Sequence, residues 1–257
     1  MKTFAAALLF LLVCGPLAAA EWQVAPGKSI AAAVQAAKAG DTVRVLRGQY
    51  VEHLVIDKPL RLIGIDRPTL SGGERGDVIR VKSPDVLIEG FIIRDSGADL
   101  TAQNAGIYVE PGSHRIAVRN NVLVYNLFGV WLEKLQNPEV SGNLITSKRD
   151  LSSARRGNGI QLYNTSGARI IDNHISFARD GIYVDVSHFA IFRGNTMHHL
   201  RYGTHYMNSN DNLWEDNETY LNRGGLALME VRRQTVRNNR ARSEERRVGK
   251  ECRSRWS

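Results

Sequence analysis

His205, Met207 and Met229 carry imidazole and thioether groups at a spacing that could bring them together. His205 and Met207 are two residues apart, so both side chains lie on one face if this segment is a strand. Met229 follows Met207 by 22 residues. Imidazole and thioether are soft ligands that suit monovalent copper. These three residues are therefore the candidate copper contacts, with packing under a loop or contact with a partner as the alternative.

The remaining histidines in this half of the chain are weaker candidates. His198 and His199 are adjacent and form a second possible ligand pair. We expect His198 to face outward beside Tyr220 and to be solvated rather than a ligand. His174 and His188 are isolated in the sequence, and we interpret both as surface residues.

A repeat of 22 residues must position these side chains. Two series of residues follow it, and in each series the regular gap of 22 residues is broken once by a gap of 30. The asparagines are Asn121, Asn143, Asn173, Asn195, Asn217 and Asn239, and the glycines are Gly129, Gly159, Gly181, Gly203 and Gly225. One inserted loop of eight residues around Lys148 to Arg156 explains both long gaps. Self-similarity of this kind is typical of a solenoid.

Each repeat unit contains three short segments with the alternation of a β-strand. After each glycine of the series, the first and third residues are mostly aliphatic, as in Val130 and Leu132. Three strands per unit predict an all-β, right-handed parallel β-helix with coils of 22 residues. The recurrent asparagine is expected at an inward turn, where its amide can hydrogen-bond from coil to coil. Leucine-rich and propeller repeats fit neither the spacing nor the composition.

This register predicts which side chains leave the core on the strands that follow the glycines. The second and fourth residues should form two outward columns: Trp131, Gln161, Tyr183, His205 and Ala227, and Glu133, Tyr163, Asp185, Met207 and Met229. Neighbouring coils lie about 4.8 Å apart, and alternate residues of a strand about 7 Å apart. His205, Met207 and Met229 should therefore be neighbours on one exposed face, with Asp185 beside Met207.

The earlier part of the chain is less regular but compatible with the same fold. A second insertion is expected near residues 95–105, where the glycine spacing lengthens. Ser29 can cap a helix that runs through Ala39 and ends at Gly40. Such a helix would cover the first coil, whose open end otherwise exposes unpaired backbone groups.

Both ends of the chain are expected to lie outside the β-helix domain, residues 21–241. Residues 1–20 have the basic start, apolar run and small residues of a secretory signal peptide cleaved after Ala20. A membrane anchor and a lipoprotein modified at Cys14 are the alternatives. Residues 242–257 break the repeat and resemble a translated DNA-sequencing adapter. We predict that this tail is not native and that the natural protein continues beyond Ala241.

Removal of both ends changes the charge balance. The chain has 34 basic and 26 acidic residues, of which the signal peptide contains one basic residue and the tail six basic and three acidic. The remaining 27 basic and 23 acidic residues leave a net charge of +4, so nucleic acid is not an expected partner. Both cysteines lie in the removed ends. An exported domain without disulfides must be held together by its core.

An enzyme acting on acidic polysaccharide, such as a lyase or uronate epimerase, is the main alternative function. It needs calcium-binding carboxylates or a base that neutralises the sugar carboxylate. Asp180, Asp185 and Glu133 are expected near one face, but without a lysine or arginine in a catalytic set. Arg179 is expected to pair with Asp180 at a turn. We therefore expect no catalytic residues. A carbohydrate-binding β-helix, with outward aromatic residues such as Trp131, is a third possibility.

Four segments together resemble the NosD family: Gly157–Tyr163, Arg179–Val184, Arg201–Asn210 and Gly224–Met229. Arg201-Tyr-Gly-Thr-His-Tyr-Met207 is the most specific run. The resemblance implies a periplasmic accessory protein that supports assembly of the copper centres of nitrous oxide reductase. It also implies three partners: the reductase, the membrane and ATPase subunits of an ABC transporter, and a lipoprotein copper chaperone. Copper would be handled transiently.

Overall fold

A computed structural model describes residues 19–242 of the chain. The predicted signal peptide lies almost entirely outside this range, and so does the predicted foreign tail apart from Arg242. Within the described range, the chain forms three parallel sheets and one short α-helix. That part of the chain contains no helix with the length and hydropathy needed to cross a bilayer.

The chain visits the three sheets in turn, once per coil, and every strand pairs in parallel with the strand one coil away. The first sheet consists of β1 (Glu21–Val24), β2 (Thr42–Val45), β5 (Arg61–Gly64), β8 (Leu87–Glu89), β11 (Ala117–Arg119), β14 (Glu139–Ser141), β17 (Arg169–Ile171), β20 (Ile191–Arg193), β23 (Leu213–Glu215) and β26 (Thr235–Arg237). The second sheet consists of β4 (Leu54–Ile56), β7 (Ile79–Val81), β10 (Ala105–Val109), β13 (Phe128–Glu133), β16 (Ile160–Tyr163), β19 (Asp180–Asp185), β22 (Tyr202–Met207) and β25 (Gly224–Met229). The third sheet consists of β3 (Gln49–Val51), β6 (Thr69–Ser71), β9 (Ile92–Arg94), β12 (Val122–Asn126), β15 (Leu144–Ser147), β18 (His174–Ser176), β21 (Thr196–His198), β24 (Glu218–Tyr220) and β27 (Arg240–Arg242). The predicted parallel β-helix is confirmed.

The predicted asparagine series forms a continuous ladder, which is buried from Asn121 to Asn217 and half-buried at Asn239. The side-chain oxygen of Asn195 accepts hydrogen bonds from the backbone N–H of Asn173 at 3.0 Å and from its Nδ2 at 3.0 Å. Asn195 in turn donates from its backbone N–H and from Nδ2 to Asn217. Its Nδ2 also donates to the carbonyl of Ile170. Because each buried amide is saturated by the neighbouring coils, the ladder fixes how the coils stack.

The glycine series marks places where two coils come too close for a side chain. A Cβ atom on Gly159 would lie 2.6 Å from the carbonyl oxygen of Gly181 and 2.4 Å from a methyl group of Ile175. Neither distance is tolerable for a carbon atom. The spacing of the glycines therefore reports the register of the second sheet.

Helix α1 (Ile30–Ala36) covers the first coil, as expected, and buries Ile30 and Val34. Ser29 caps it through the backbone N–H of Ala32. The helix ends before the predicted Ala39, because the side chain of Asp41 accepts a hydrogen bond from the backbone N–H of Lys38 and turns the chain away.

Both expected insertions are loops on the outside of the solenoid. No strand lies between the end of β9 and the start of β10, a segment that contains the first insertion. The second insertion follows β15 and contains a single 3₁₀ turn at Ser153–Arg155. Both loops begin at the end of the third sheet and return at the start of the second. They therefore border the outward face of the second sheet.

Replacing Asn195 with alanine should lower the free energy of unfolding by about 3 kcal/mol, because it leaves buried donors of Asn173 without an acceptor. Urea unfolding followed by circular dichroism measures this change. Gln49→Ala removes an exposed amide from strand β3 and should change stability by less than about 0.5 kcal/mol. Equal losses in the two variants would contradict the structural role of the ladder.

Candidate functional site

The two predicted outward columns are present on the second sheet. Trp131 pairs with Gln161, Gln161 with Tyr183, Tyr183 with His205 and His205 with Ala227 in successive strands; the second column runs in the same way from Glu133 to Met229. The structure therefore brings His205, Met207 and Met229 onto two neighbouring strands, β22 and β25. Asp185 is the direct neighbour of Met207, as expected.

The expectation of an exposed face is wrong for His205, which is only 5% exposed. Its ring packs edge-on against Tyr183, with centroids 4.8 Å apart, and lies 5.3 Å from Tyr202. Met207 is half-buried, whereas Met229 is 43% exposed. An outward position on the sheet is thus not an exposed position, because neighbouring aromatic side chains cover the imidazole.

A groove of 420 Å³ opens over these residues. His205, Met207 and Met229 line it on the sheet side, and Leu100 and Gln103 of the first insertion line it from the loop side. The insertion, whose place near residues 95–105 the glycine spacing predicted, therefore provides one wall of the candidate site.

The groove places a nitrogen and a sulfur atom side by side. His205 Nε2 lies 3.5 Å from Met229 Sδ, and Met207 is paired with Met229 across strands β22 and β25. A soft monovalent cation needs donors of this kind. Across the described residues, no group of three or more His, Cys, Asp or Glu side chains is placed to hold a metal ion. The candidate site therefore depends on its thioether sulfurs.

A buried ion pair orients the imidazole. Asp180 is fully buried and accepts hydrogen bonds from Arg201 Nε at 2.8 Å, from Arg201 Nη2 at 2.5 Å and from His205 Nδ1 at 3.1 Å. Arg201 Nη2 also lies 3.1 Å from His205 Nδ1, but the ionised carboxylate of Asp180 can only accept, so we assign the Nδ1 proton of His205 to the bond with Asp180. The lone pair of His205 is then on Nε2, which faces Met229.

Two pKa shifts follow from this arrangement. Burial by itself would raise the pKa of Asp180, but hydrogen bonds from Arg201 and His205 hold it below the usual value. The hydrogen bond to Asp180 raises the pKa of Arg201. Both groups are therefore charged over the physiological range, and the ion pair beside His205 persists there.

The expected pairing of Asp180 with Arg179 is wrong. Asp180 is paired with Tyr202 across the strands, so the residue preceding Tyr202, one coil away, is the arginine that reaches it. An arginine therefore does lie against one of the three carboxylates, while the expectation that they form no catalytic set stays a prediction. The 22-residue gap between Arg179 and Arg201 is visible in the sequence, but side-chain direction is not.

Arginines also line a second cavity of 470 Å³ beside the groove. Arg156, Arg179, Arg201 and Arg223 border it, together with His199. Three of these arginines are spaced by 22 residues and stack from coil to coil. This regular spacing of the arginines is visible in the sequence.

Three histidines form a cluster on the third sheet. The sequence had suggested that such histidines are isolated or solvated. His174 Nε2 lies 2.7 Å from His198 Nε2, and His198 Nδ1 lies 2.6 Å from His199 Nδ1. His198 lies beside Tyr220, as expected, but it stacks on that ring and is only half-exposed. His188 is apart from the cluster and accepts a hydrogen bond from the backbone of Asn210.

Comparison with known proteins shows which proteins the chain resembles. Residues 141–250 match the family described as "Periplasmic copper-binding protein (NosD)". Two curated relatives, from Stutzerimonas stutzeri and Pseudomonas aeruginosa, are each named "Probable ABC transporter binding protein NosD". The resemblance to NosD is confirmed.

The NosD relatives are 34% identical over 138 residues and 36% identical over 134 residues, which is 54% and 52% of this chain. The chain spans about a third of the length of each, 32% and 31%. The family match extends to residue 250, inside the segment predicted to be foreign, so the origin of that segment stays a prediction.

Solved structures share the fold at low sequence identity. An alginate lyase from Paenibacillus sp. str. FPU-7 superposes with a TM-score of 0.59 at 14% identity, over 87% of this chain and 98% of the lyase. A pectin methylesterase superposes with a TM-score of 0.53 at 12% identity, over 79% of this chain and 81% of the esterase. At such identities the likeness establishes a pectin lyase-like β-helix and nothing about the reaction.

We expect the ring signals of His198 to show no titration between about pH 8 and about pH 5. Burial and then the charges of His174 and His199 lower the pKa of His198 to about 4. The unfolded state binds this proton near pH 6.5, so the free energy of unfolding should fall as the pH drops from about 6.5 to about 4. Ring ¹⁵N chemical shifts, assigned with a His198→Gln variant, measure the pKa. A midpoint near 6.5 would contradict the effect of burial on the His198 ring.

Proposed function

We propose that this chain is an exported, periplasmic accessory protein that supports assembly of the copper centres of nitrous oxide reductase. In this proposal it works with an ABC transporter and a copper-chaperone lipoprotein. Copper is a cargo that His205, Met207 and Met229 contact in the groove of the second sheet. The observation that carries the proposal is the 3.5 Å contact between His205 Nε2 and Met229 Sδ.

The donor set favours copper over a hard cation. Calcium and magnesium require oxygen ligands, whereas this end of the groove presents an imidazole nitrogen and two thioether sulfurs. Met229 is 43% exposed, so the side chain that touches the imidazole is also accessible from solvent. A buried imidazole beside an exposed methionine suits an ion that is received and released.

The carboxylate behind the imidazole supports the same interpretation. Metal-binding histidines usually donate their second ring N–H to a carboxylate or carbonyl, which fixes the ring and raises its basicity. Asp180 has this position relative to His205, and Arg201 keeps the carboxylate ionised. Asp180 and Arg201 are thus positioning residues for the copper contact.

The sequence relatives support the biological setting. The matching family is described as periplasmic and copper-binding, and the curated relatives are named as ABC transporter binding proteins. The residues that form the groove on β19, β22 and β25 lie inside the matched range. The reductase, the transporter and the chaperone remain proposed partners, because the chain spans only about a third of those relatives.

The combined variant His205→Ala, Met207→Ala and Met229→Ala should remain folded, because these side chains lie outside the solenoid core. In cells that depend on this protein, it should lower the copper content of nitrous oxide reductase, measured by mass spectrometry of the purified enzyme. Tyr163→Ala, in the outward column of Met207, is the matched control and should leave copper loading unchanged.

Two results of this experiment would overturn different parts of the proposal. Unchanged copper loading in the triple variant would show that these residues are not the copper contacts. Full loading of the reductase after deletion of the whole gene would refute the function itself.

Asp180→Asn should weaken binding of monovalent copper to the purified chain by about 10- to 100-fold, since the imidazole loses its charged acceptor. Competition with a chromophoric Cu⁺ chelator measures the affinity. Asp211→Asn removes a partner of Arg233 in the turns that precede strands β23 and β26, and it serves as the control. An affinity that is equal in both variants would exclude a positioning role for Asp180.

An enzyme acting on acidic polysaccharide is the second candidate function. The cluster of Asp180, Arg201 and His205 beside Tyr183, in a groove of a β-helix, is the observation that favours it. Both oxygens of Asp180 are engaged and the carboxyl group is buried, which leaves it no direct access to a sugar. Release of unsaturated or epimerised products from alginate or pectin by the purified chain would establish this candidate over the first.

A carbohydrate-binding function has less structural support. Trp131, an expected sugar platform, is only 7% exposed and stacks on Tyr108. Tyr163 is the more accessible ring of the outward columns, at 38%. One exposed ring gives a weak platform for a saccharide.

A further inference from the structure

The histidine cluster on the third sheet is separate from the copper groove. His174 begins strand β18 and His198 ends strand β21, one coil further along the solenoid. Their Nε2 atoms lie 2.7 Å apart. His199 follows directly and places its Nδ1 atom 2.6 Å from Nδ1 of His198. His198 therefore uses both ring nitrogens toward other imidazoles.

The proton positions in this cluster are limited. A neutral imidazole carries one N–H, so His198 can donate from only one of its two nitrogens. If His198 donates from Nδ1 to His199, its Nε2 atom has a lone pair directed at His174. That contact is then held by one proton, carried by His174 Nε2. A metal ion could replace this proton when His174 carries its hydrogen on Nδ1 instead.

We propose that His174 and His198 bind a late transition-metal ion through their two Nε2 atoms, with His199 as a positioning residue. Imidazole nitrogen suits copper and zinc, and among the divalent ions of the first row Cu²⁺ is bound most tightly. Metal–nitrogen bonds of about 2.0 Å require the two atoms to separate to about 3–4 Å. Both side chains are only half-buried, so a small rotation of each ring can open the gap.

The surroundings hold the rings in place for this task. His198 stacks on Tyr220 with centroids 4.7 Å apart and planes 13° apart, and His199 stacks on Phe177 at 4.7 Å and 24°. The backbones of His174 and His198 are fixed by the parallel sheet. The ligands thus start from a rigid base, and water can complete the coordination of the ion from the open side.

The site does not rest on the proposed function of the groove. His205 projects from the second sheet, whereas His174 and His198 project from the third. Arg201 and His199 border the cavity that lies between them, and positive charge there disfavours direct passage of a cation. Failure of one site leaves the other unaffected.

The test uses the full, tag-free chain titrated with Cu²⁺ alone, followed by electron paramagnetic resonance and by equilibrium dialysis. The wild-type chain should bind one Cu²⁺ that shows coupling to two imidazole nitrogens. His174→Gln combined with His198→Gln should abolish this signal. His199→Ala should retain it with about 10- to 100-fold weaker affinity, because the tautomer of His198 is no longer fixed. Zn²⁺ should displace the bound Cu²⁺ only at higher concentration.

Two controls separate this site from others. His188→Gln, on a coil of the same solenoid but outside the cluster, should bind Cu²⁺ as the wild type does. The triple variant at His205, Met207 and Met229 should also keep the signal. An unchanged signal in the double glutamine variant, with the fold checked by circular dichroism, overturns the proposal. A signal lost equally in the His188→Gln variant does so too.

Discussion

The buried ladder of asparagine amides is the interaction on which the rest of this structure depends. One coil cannot bury its inner face alone, so the coils must stack, and a slip of one residue would turn the core side chains outward. Each amide oxygen of the ladder accepts from the backbone and side chain of the preceding asparagine, as Asn195 does from Asn173. Slipping one coil would leave several buried polar groups unpaired, which makes the register stringent.

Because the register is stringent, residues that are one coil apart in sequence are neighbours in space. Residues 22 apart become direct neighbours on adjacent strands, which is how Met207 comes to lie beside Met229. The same rule stacks Arg179 on Arg201 beside the groove. The two insertions add what the repeat cannot provide, since loops outside the coils can cover part of a sheet face. The groove is therefore formed by the regular coils together with the insertions that interrupt them.

The buried pair of Asp180 and Arg201 links this scaffold to its chemistry. The fully buried carboxylate of Asp180 is stabilised by two hydrogen bonds from Arg201, one to each oxygen, and by a third from His205. The same bonds direct the free nitrogen of His205 toward Met229. The contacts that stabilise the buried carboxylate are thus the same contacts that orient His205. A change at Asp180 is therefore expected to affect both the stability of the fold and the candidate copper contact.

The sequence by itself determined the fold class, the coil length, the buried asparagines and the outward columns, because the backbone pairing of a solenoid repeats with the chain. It also predicted that His205, Met207 and Met229 are neighbours. It did not predict that Asp180 pairs with Arg201, that His205 is buried, or that His174 meets His198. These contacts run diagonally between coils and depend on the rotamers and bulk of neighbouring side chains. Periodicity defines which backbone positions are adjacent, but only tertiary packing decides where the side chains point.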